Sequence, residues 1–441
     1  MRSKSQLDCG KFSEAFHHLL PQKTVEHIWE TLGPLKRRPP RLSPGDLLKS
    51  LVFHALRGNG NLAASVGDLT GEVISDSALS QRRSTVPWQV FETLLDEALC
   101  PKADARQHPG AFYHGRRLLG IDGSQFSVSN TPQNKATFIK AASRRMKAAF
   151  GKLGVSVLVE LGLHNPVAAS VGAAGMSEPE LSRPLLDKLP AGSLLLADRA
   201  YGLGCWVQRI KEMYPEGDRD FLLRVKSTCK TKVLEVYPDG SAWVEIAVEG
   251  ARYALREIIG KVRRPRGKWS TIRLWTSLQD GREFGALELL ALYGRRWEQE
   301  GYYRELKVDM RSADFLQSHT ATTAAQEIAA LILAQAMLVE QRVAIAQEGE
   351  VEVLRISFRK TLFRLQGLWE VIAAGQGILS RQQIRELTRE VMKRIARWAL
   401  PPRRKRSCPR KVRQPIGGWP RLTKNTYQIG ETETEITPIK L

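Results

Sequence analysis

Apolar positions recur at helical spacing through the first hundred residues. Ser43-Pro44-Gly45-Asp46 supplies an N-cap, a proline at the first helical position and an acid in the first turn. Leu47, Leu48, Leu51, Val52 and Leu56 then share one face, and Gly58 marks the stop. A second short helix spans about Leu62–Leu69 and ends at Gly71, and a third starts near Ser75-Asp76. That third helix carries Ser77, Ser80, Gln81, Arg82 and Arg83. Short helices joined by glycine turns fit two architectures equally: a helix-turn-helix reader of DNA, or a plain bundle with a solvated polar face.

A stretch rich in Pro, Gly and His, 101–115, reads as a hinge, and the period changes after it. Leu118–Ile121 is a short buried strand that stops at Asp122-Gly123; Val155, Val157 and Val159 alternate in a second; Val167–Ala173 makes a third. Glu180–Leu189 has helical spacing, and the wholly apolar Leu194–Ala197 reads as a strand buried on both faces, ending at Asp198. Three strands, a helix and a buried strand open a ribonuclease-H-like order. Five further strand-like runs follow: 221–226, 233–237, 243–247, 253–259 and 271–278. They predict a small antiparallel insert. Helix returns at Leu287 and includes the apolar segment Ile328–Val339, which is too short to span a bilayer. The tail beyond Pro401 is basic, bears proline and reads as poorly ordered. The expected fold is α/β: a ribonuclease-H-like core (116–219 and 281–345) interrupted by an antiparallel β insertion (220–280). An N-terminal all-helical domain (1–105), expected to bind DNA, precedes it, and a C-terminal helical region with a basic tail (346–441) follows.

Composition narrows the partners. Hydrophobic residues make up 42% of the 441, ordinary for a globular chain. Lys and Arg number 67 against 46 acids, a formal charge of +21 that favours a polyanion. Arg403, Arg404, Lys405, Arg406, Arg410, Lys411 and Arg413 concentrate that charge in a run that either binds DNA or is a solvated tail. The five cysteines are scattered without a CxxC pair or a histidine at zinc spacing, which points to a reduced, cytoplasmic protein without a disulfide frame. The eight histidines show no metal spacing, and His114 reads as structural. No membrane partner is expected.

Two aspartates, Asp122 and Asp198, close apolar strands, where an acid costs desolvation unless something positive compensates it. Carboxylates at strand ends suit Mg²⁺ or Mn²⁺, which prefer oxygen ligands. A third acid stands in the helical stretch Leu290–Met310. At about 100° per residue, Tyr293, Arg296, Glu300 and Lys307 fall within a stripe of roughly 60°. Glu298 and Glu305 fall on the far side and read as surface acids. A line of Tyr, Arg, Glu and Lys is poor core chemistry but suits a surface that holds phosphates and a metal together.

These residues resemble the signature of the insertion-sequence-four family of bacterial DDE transposases. Its third-acid helix reads tyrosine, two residues, arginine, three residues, glutamate, six residues, lysine, and Tyr293, Arg296, Glu300 and Lys307 match without a gap. Ile121-Asp122-Gly123-Ser124, followed by Thr131-Pro132-Gln133-Asn134, is similar to the first-aspartate segment, and Ala197-Asp198-Arg199-Ala200-Tyr201-Gly202 to the second. The likeness covers roughly residues 40 to 415. It implies that Asp122, Asp198 and Glu300 hold two Mg²⁺ ions, with Mn²⁺ as substitute. It implies cleavage of element ends through a DNA hairpin, then strand transfer into target DNA. Tyr293, Arg296, Lys307, Arg199 and Ser124 would contact that DNA. Trp275, with Trp269 behind it, is the candidate for an extruded base, although a buried strand tryptophan fits Trp275 as well. The partners would be double-stranded element ends and target, bound by a homodimer that associates with the nucleoid. Two other readings stand beside it: a structure-specific metal-dependent nuclease, and a domesticated, inactive DNA-binding regulator.

Overall fold

A computed structural model of the protein describes residues 10–34, 41–58, 60–138, 150–172, 176–263, 268–311, 315–375, 378–401, 406–407, 428–429 and 433–439. Six helices open the chain: α1 (Gly10–Leu19), α2 (Gln22–Leu32), α3 (Pro44–Arg57), α4 (Leu62–Thr70), α5 (Asp76–Ser84) and α6 (Trp88–Ala98). Next come β1 (Phe112–Tyr113), β2 (Arg116–Val128), α7 (Pro132–Thr137), β3 (Lys152–Glu160), β4 (Asn165–Gly172) and α8 (Glu178–Ser182), which a 3-10 turn extends to Lys188. Then follow β5 (Ser193–Ala197), α9 (Gly204–Met213), β6 (Arg219–Arg224), β7 (Lys232–Val236), β8 (Ala242–Val248), β9 (Ala251–Arg263) and β10 (Trp269–Thr276). After α10 (Ala286–Leu292) the backbone tightens into a 3-10 turn, Tyr293–Trp297, relaxes into α11 (Glu298–Arg304) and widens into a π turn, Glu305–Asp309. The chain continues through β11 (Phe315–Leu316), α12 (Ala321–Glu348), α13 (Phe358–Ala374), α14 (Arg381–Arg397), β12 (Arg406–Ser407), β13 (Gln428–Ile429) and β14 (Glu433–Ile436).

The expected caps are in place. Ser43 Oγ accepts from Asp46 N, and Gly58 and Gly71 stop α3 and α4 at φ of +66° and +73°. The chain divides into two compact units, one of Met1–Pro190 with Glu298–Leu400, the other of Ala191–Trp297 with Pro401–Leu441.

In the first unit α12 is the central element. Ile328, Ala329, Leu331, Ile332, Leu333, Met337 and Leu338 are all buried, each Ile, Leu and Met contributing about 1.5–3 kcal/mol over exposure. It is the one described helix long and apolar enough to cross a membrane, and 78% of its apolar window is buried inside the protein. Helices α3 and α6 pack on it. Arg83 turns inward to reach the Thr323 carbonyl (2.9 Å), Ser318 Oγ (3.2 Å) and Gln326 Oε1 (3.3 Å), while Arg82 bonds the Leu42 carbonyl. Both arginines therefore serve packing. Beside these helices β4, β3 and β2 form an antiparallel sheet, with β11 parallel to β2. The expected hinge at 101–115 is tied down: Lys102 N (2.8 Å) and Ala103 N (3.0 Å) donate to the buried carboxylate of Glu160, which also takes Asn165 Nδ2 (2.7 Å) and Arg117.

In the second unit β5 and β6 run parallel, and β10, β9, β8 and β7 continue antiparallel from β6. The first of the five expected insert runs thus belongs with β5, and the insert proper is β7–β10. Fully buried Arg256 pins it, bonding Asp239, Ser241 Oγ (2.9 Å) and the Phe284 carbonyl (2.7 Å). The tail corrects another expectation. Residues 433–436 form β14, antiparallel to β9, because the Glu-Thr-Glu-Ile alternation suits a strand on an open edge. Of the basic run only Arg406 lies within the described residues.

Candidate active site

Asp122 lies in the middle of β2 rather than at its end; the strand runs on to Val128, because Ser124, Phe126 and Val128 keep the two-residue alternation. The half-buried Asp122 carboxylate accepts from Gly123 N at 2.9 Å. The same N–H also donates to Glu178 Oε1, at 3.1 Å. Two carboxylates thus converge on one donor. Gly123 is required there, since a Cβ would come within 2.3 Å of Glu178 Cγ. Glu178 was not singled out from the sequence; its only signal is an acid opening a helix after the third strand, with Ser177 as cap.

Helix α11 is fastened along this sheet by three rungs. Gln299 Nε2 donates to the Val157 carbonyl (3.0 Å), Tyr303 OH to the Asp122 carbonyl (2.7 Å) and Lys307 Nζ to the Gln125 carbonyl (2.8 Å). Residues 299, 303 and 307 follow one another at four-residue steps, so one side of the turn sequence lies on β2 and β3. Glu300 is half-buried beside this row, and Asp122 and Glu300 are thereby carried by directly packed elements.

Lys307 sits 4.8 Å over the Phe126 ring, Arg311 lies 5.3 Å from the same ring, and Lys152 Nζ bonds Ser127 Oγ at 2.6 Å. Burial, then the charges of Lys152 and Arg311, push the Lys307 ammonium down to about 8. Cations gathered this closely suit an anion such as a phosphate. Asp122, Ser124 and Phe126 share one face of β2, so this cluster lies about 13 Å along the strand from Asp122.

Glu298 and Glu305, expected at the surface, are buried at 9% and 7% exposure. A helical wheel marks which residues share a face, not which face meets protein; here that face meets His164. Its Nε2 is 3.0 Å from Glu298 Oε2 and its Nδ1 3.0 Å from Glu305 Oε1, the latter an ion-pair contact without hydrogen-bond alignment. Arg342 completes the cluster, 3.0 Å from the same Glu305 oxygen. Burial alone would lower the His164 pKa; the charge of Glu305 and the close contacts with Glu298 and Glu305 outweigh it and raise it. Burial opposes ionisation of Glu305, but His164 and Arg342 hold its pKa below the usual range.

The second unit carries the other candidates. Asp198 directly follows β5 and accepts from Ala200 N at 2.6 Å. Tyr201 is buried edge-on to Trp206, and Gly202 passes so near β6 that a Cβ would lie 2.0 Å from the Arg224 carbonyl oxygen. Those constraints explain the Asp-Arg-Ala-Tyr-Gly run locally. Arg199 is exposed. Because Ala197 pairs with Leu223, Arg224 is level with Asp198. Tyr293 is buried, and its phenol is pushed up to about 12 by burial first; Asp198 adds to this, while Arg296 and Arg224 oppose it. Tyr293, Arg296, Arg224 and Asp198 therefore form one neighbourhood, in which Arg224 is an addition to the sequence reading.

Two expectations are corrected. Leu290–Met310 is no continuous α-helix, so the single stripe breaks: Tyr293 and Arg296 fall in the second unit, Glu300 and Lys307 in the first. Trp275 is 3% exposed and donates Nε1 to Glu257 Oε2 at 2.8 Å, because its register turns it into the unit's interior. Its ring offers no open face for a base. Trp269 is 39% exposed, with Arg263 over its ring.

Among the described residues no three His, Cys, Asp or Glu side chains form a ready-made metal cage. The donors present are carboxylate oxygens, half-buried at Asp122, Asp198 and Glu300. That chemistry fits Mg²⁺, which is characteristically held by one or two carboxylates together with substrate phosphates.

A family model describing a transposase DDE domain matches residues 113–337. The chain is 24% identical over 377 residues to the transposase InsG of insertion sequence element IS4 from Escherichia coli (strain K12), covering 81% of this chain and 80% of that one. It is 25% identical over 195 residues to the putative transposase InsZ of the same organism, 43% of this chain and 64% of that one. A cryo-EM structure of the piggyBac transposase synaptic complex with hairpin DNA overlaps it at a TM-score of 0.46 and 10% identity, over 97% of this chain and 89% of that chain.

Proposed function

Since the chain belongs to the transposase DDE domain family, enzymes acting on DNA, we propose that it excises and inserts its own element by a hairpin route. The observation that carries the proposal is the family match over 113–337, which spans Asp122, Asp198 and Glu300 in the expected order. On this reading those three acids hold divalent metal, Mg²⁺ by preference in two sites. When bound, it lowers the charge on the phosphodiester and the pKa of the attacking oxygen. We read the catalytic fold as ribonuclease-H-like.

The chemistry is a series of phosphodiester exchanges. Water first attacks at the element's end and frees a 3′-OH. That hydroxyl attacks the opposite strand, closing a hairpin on the element and releasing flanking DNA. A second water reopens the hairpin, and the 3′-OH then attacks target DNA. Each step breaks one P–O bond and makes one, so no nucleotide cofactor is consumed.

The protein's own groups hold the strands. Lys307, with Lys152 and Arg311, seats a phosphate about 13 Å along β2 from Asp122. Arg296 and the exposed Arg199 take further phosphates, and buried Tyr293 braces Arg296. Ser124 shares the Asp122 face of β2 and contacts the same strand. Trp269 stacks the base that leaves the helix at the hairpin. A homodimer brings the two inverted-repeat ends together.

Incubating the protein with an end duplex and Mg²⁺ tests this. Nicks with 3′-OH ends, then hairpins, then joined products are expected. Nicks alone, with neither hairpin nor joined product, would identify a nuclease instead.

A further inference from the structure

The His164 cluster has no place in that chemistry, yet it grips the turns that carry Glu300. His164 stands in the turn between β3 and β4 with a left-handed backbone, φ +60°. For a residue other than glycine that conformation costs about 1–3 kcal/mol and persists only where the surroundings over-determine it. Its side chain is 2% exposed. The ring touches 298 and 305 through their carboxylates and lies against residue 301, where only glycine fits; a Cβ there would be 2.7 Å from His164 Cε1. Arg342, anchored by its Nε to the Ile356 carbonyl at 2.8 Å, holds Glu305 from α12.

The segment 298–307 is thus held from two sides. His164 and Arg342 fix 298, 301 and 305, while carbonyls of β2 and β3 fix 299, 303 and 307. Glu300 belongs to neither row, and both rows dictate where its carboxylate points. Apolar side chains would stabilise such a contact as well as a buried ion cluster does, but with less discrimination between neighbouring registers. A one-residue slip would bring Gln299 opposite His164 and turn Glu300 away.

We infer that His164 is a positioning residue for Glu300: by spanning Glu298 and Glu305 across Gly301, it fixes the rotation and register at which Glu300 is presented. The inference rests on the reading of Glu300 as a metal-holding acid. Its consequence is a metal affinity that depends on a side chain which touches no metal, substrate or DNA.

The test compares wild type with His164→Gln, which keeps one donor, and with the double variant His164→Leu/Glu298→Gln, which leaves Glu305 paired with Arg342. Each is bound to end DNA, and Mn²⁺ uptake is followed by loss of the free-ion EPR signal; cleavage against Mn²⁺ concentration and thermal melting are measured alongside. The expected result is folded variants with unchanged end affinity and half-saturating Mn²⁺ raised about 10–100-fold in both uptake and cleavage, as loss of ligand-orienting partners gives. His164→Gln should show the smaller shift. Half-saturating Mn²⁺ equal to wild type, even with lowered melting temperature, would reduce His164 to a packing residue. Failure of both variants to fold would make the cluster a folding requirement and overturn the assignment. Wild type that neither takes up Mn²⁺ nor cleaves would instead sink the functional reading itself.

Discussion

Lys307 shows how burial sets the charge of one side chain. Its ammonium titrates near 8 rather than 10.5, because burial and then Lys152 and Arg311 disfavour the charge. The sign differs for stability and for binding. Without DNA the folded state holds this proton less tightly than the unfolded state, so the charge costs stability at low pH and is relieved as pH rises through about 8. A phosphate rewards the charge, so end-DNA affinity should fall as pH rises through the same range. Lys307→Arg, which keeps its charge, should flatten that dependence in fluorescence anisotropy; equal slopes for both proteins would remove Lys307 from the contact. At this scale the sequence was informative where spacing carried the message: Asp122, Asp198, Glu300 and Lys307 stand in a recognisable pattern. Glu178, Arg224 and His164 carry none. Glu178 and His164 matter only through what the β2–β4 sheet packs against, and Arg224 only through the Ala197–Leu223 register.

At the scale of elements, local signals held and rotational ones did not. Ser43, Gly58 and Gly71 cap the helices the sequence assigned to them, because capping depends on neighbours along the chain. The ideal wheel over Leu290–Met310 misplaced Glu298 and Glu305 because the segment changes pitch twice, and because a face of acids can be buried wherever counter-charges are. His164 and Arg342 come from elsewhere in the chain and left no trace near residue 300. Gly301 is the sharp test of that packing. Gly301→Ala should cost about 1–3 kcal/mol as overpacking against the His164 ring, measured by urea unfolding, and should reduce cleavage. Unchanged stability would mean the ring yields. The cluster also gives a pH signature. With the His164 pKa raised, its contribution is complete below about 6.5 and is lost as pH climbs through the higher folded-state value. Wild type should therefore lose melting temperature relative to the His164→Leu/Glu298→Gln variant as pH rises above neutrality, and parallel melting curves across that range would contradict the pairing.

For the whole molecule, the charge of +21 makes nucleic-acid binding largely an electrostatic event. Between 50 and 200 mM salt, end affinity should fall at least about a hundredfold, as for proteins that neutralise several phosphates. A change under about threefold would mean that few cations meet the backbone. The central claim of the proposed function is that Asp122, Asp198 and Glu300 serve one metal-dependent reaction on DNA. Iron-directed scission tests it most directly. Fe²⁺ replaces Mg²⁺ in the complex with end DNA, peroxide and ascorbate generate radicals at the bound ion, and the cut polypeptide is mapped by mass spectrometry. Cuts beside 122, 198 and 300, lost in Glu300→Gln and competed by Mg²⁺, are the predicted result; cuts missing beside any of the three, or clustered elsewhere, would contradict it.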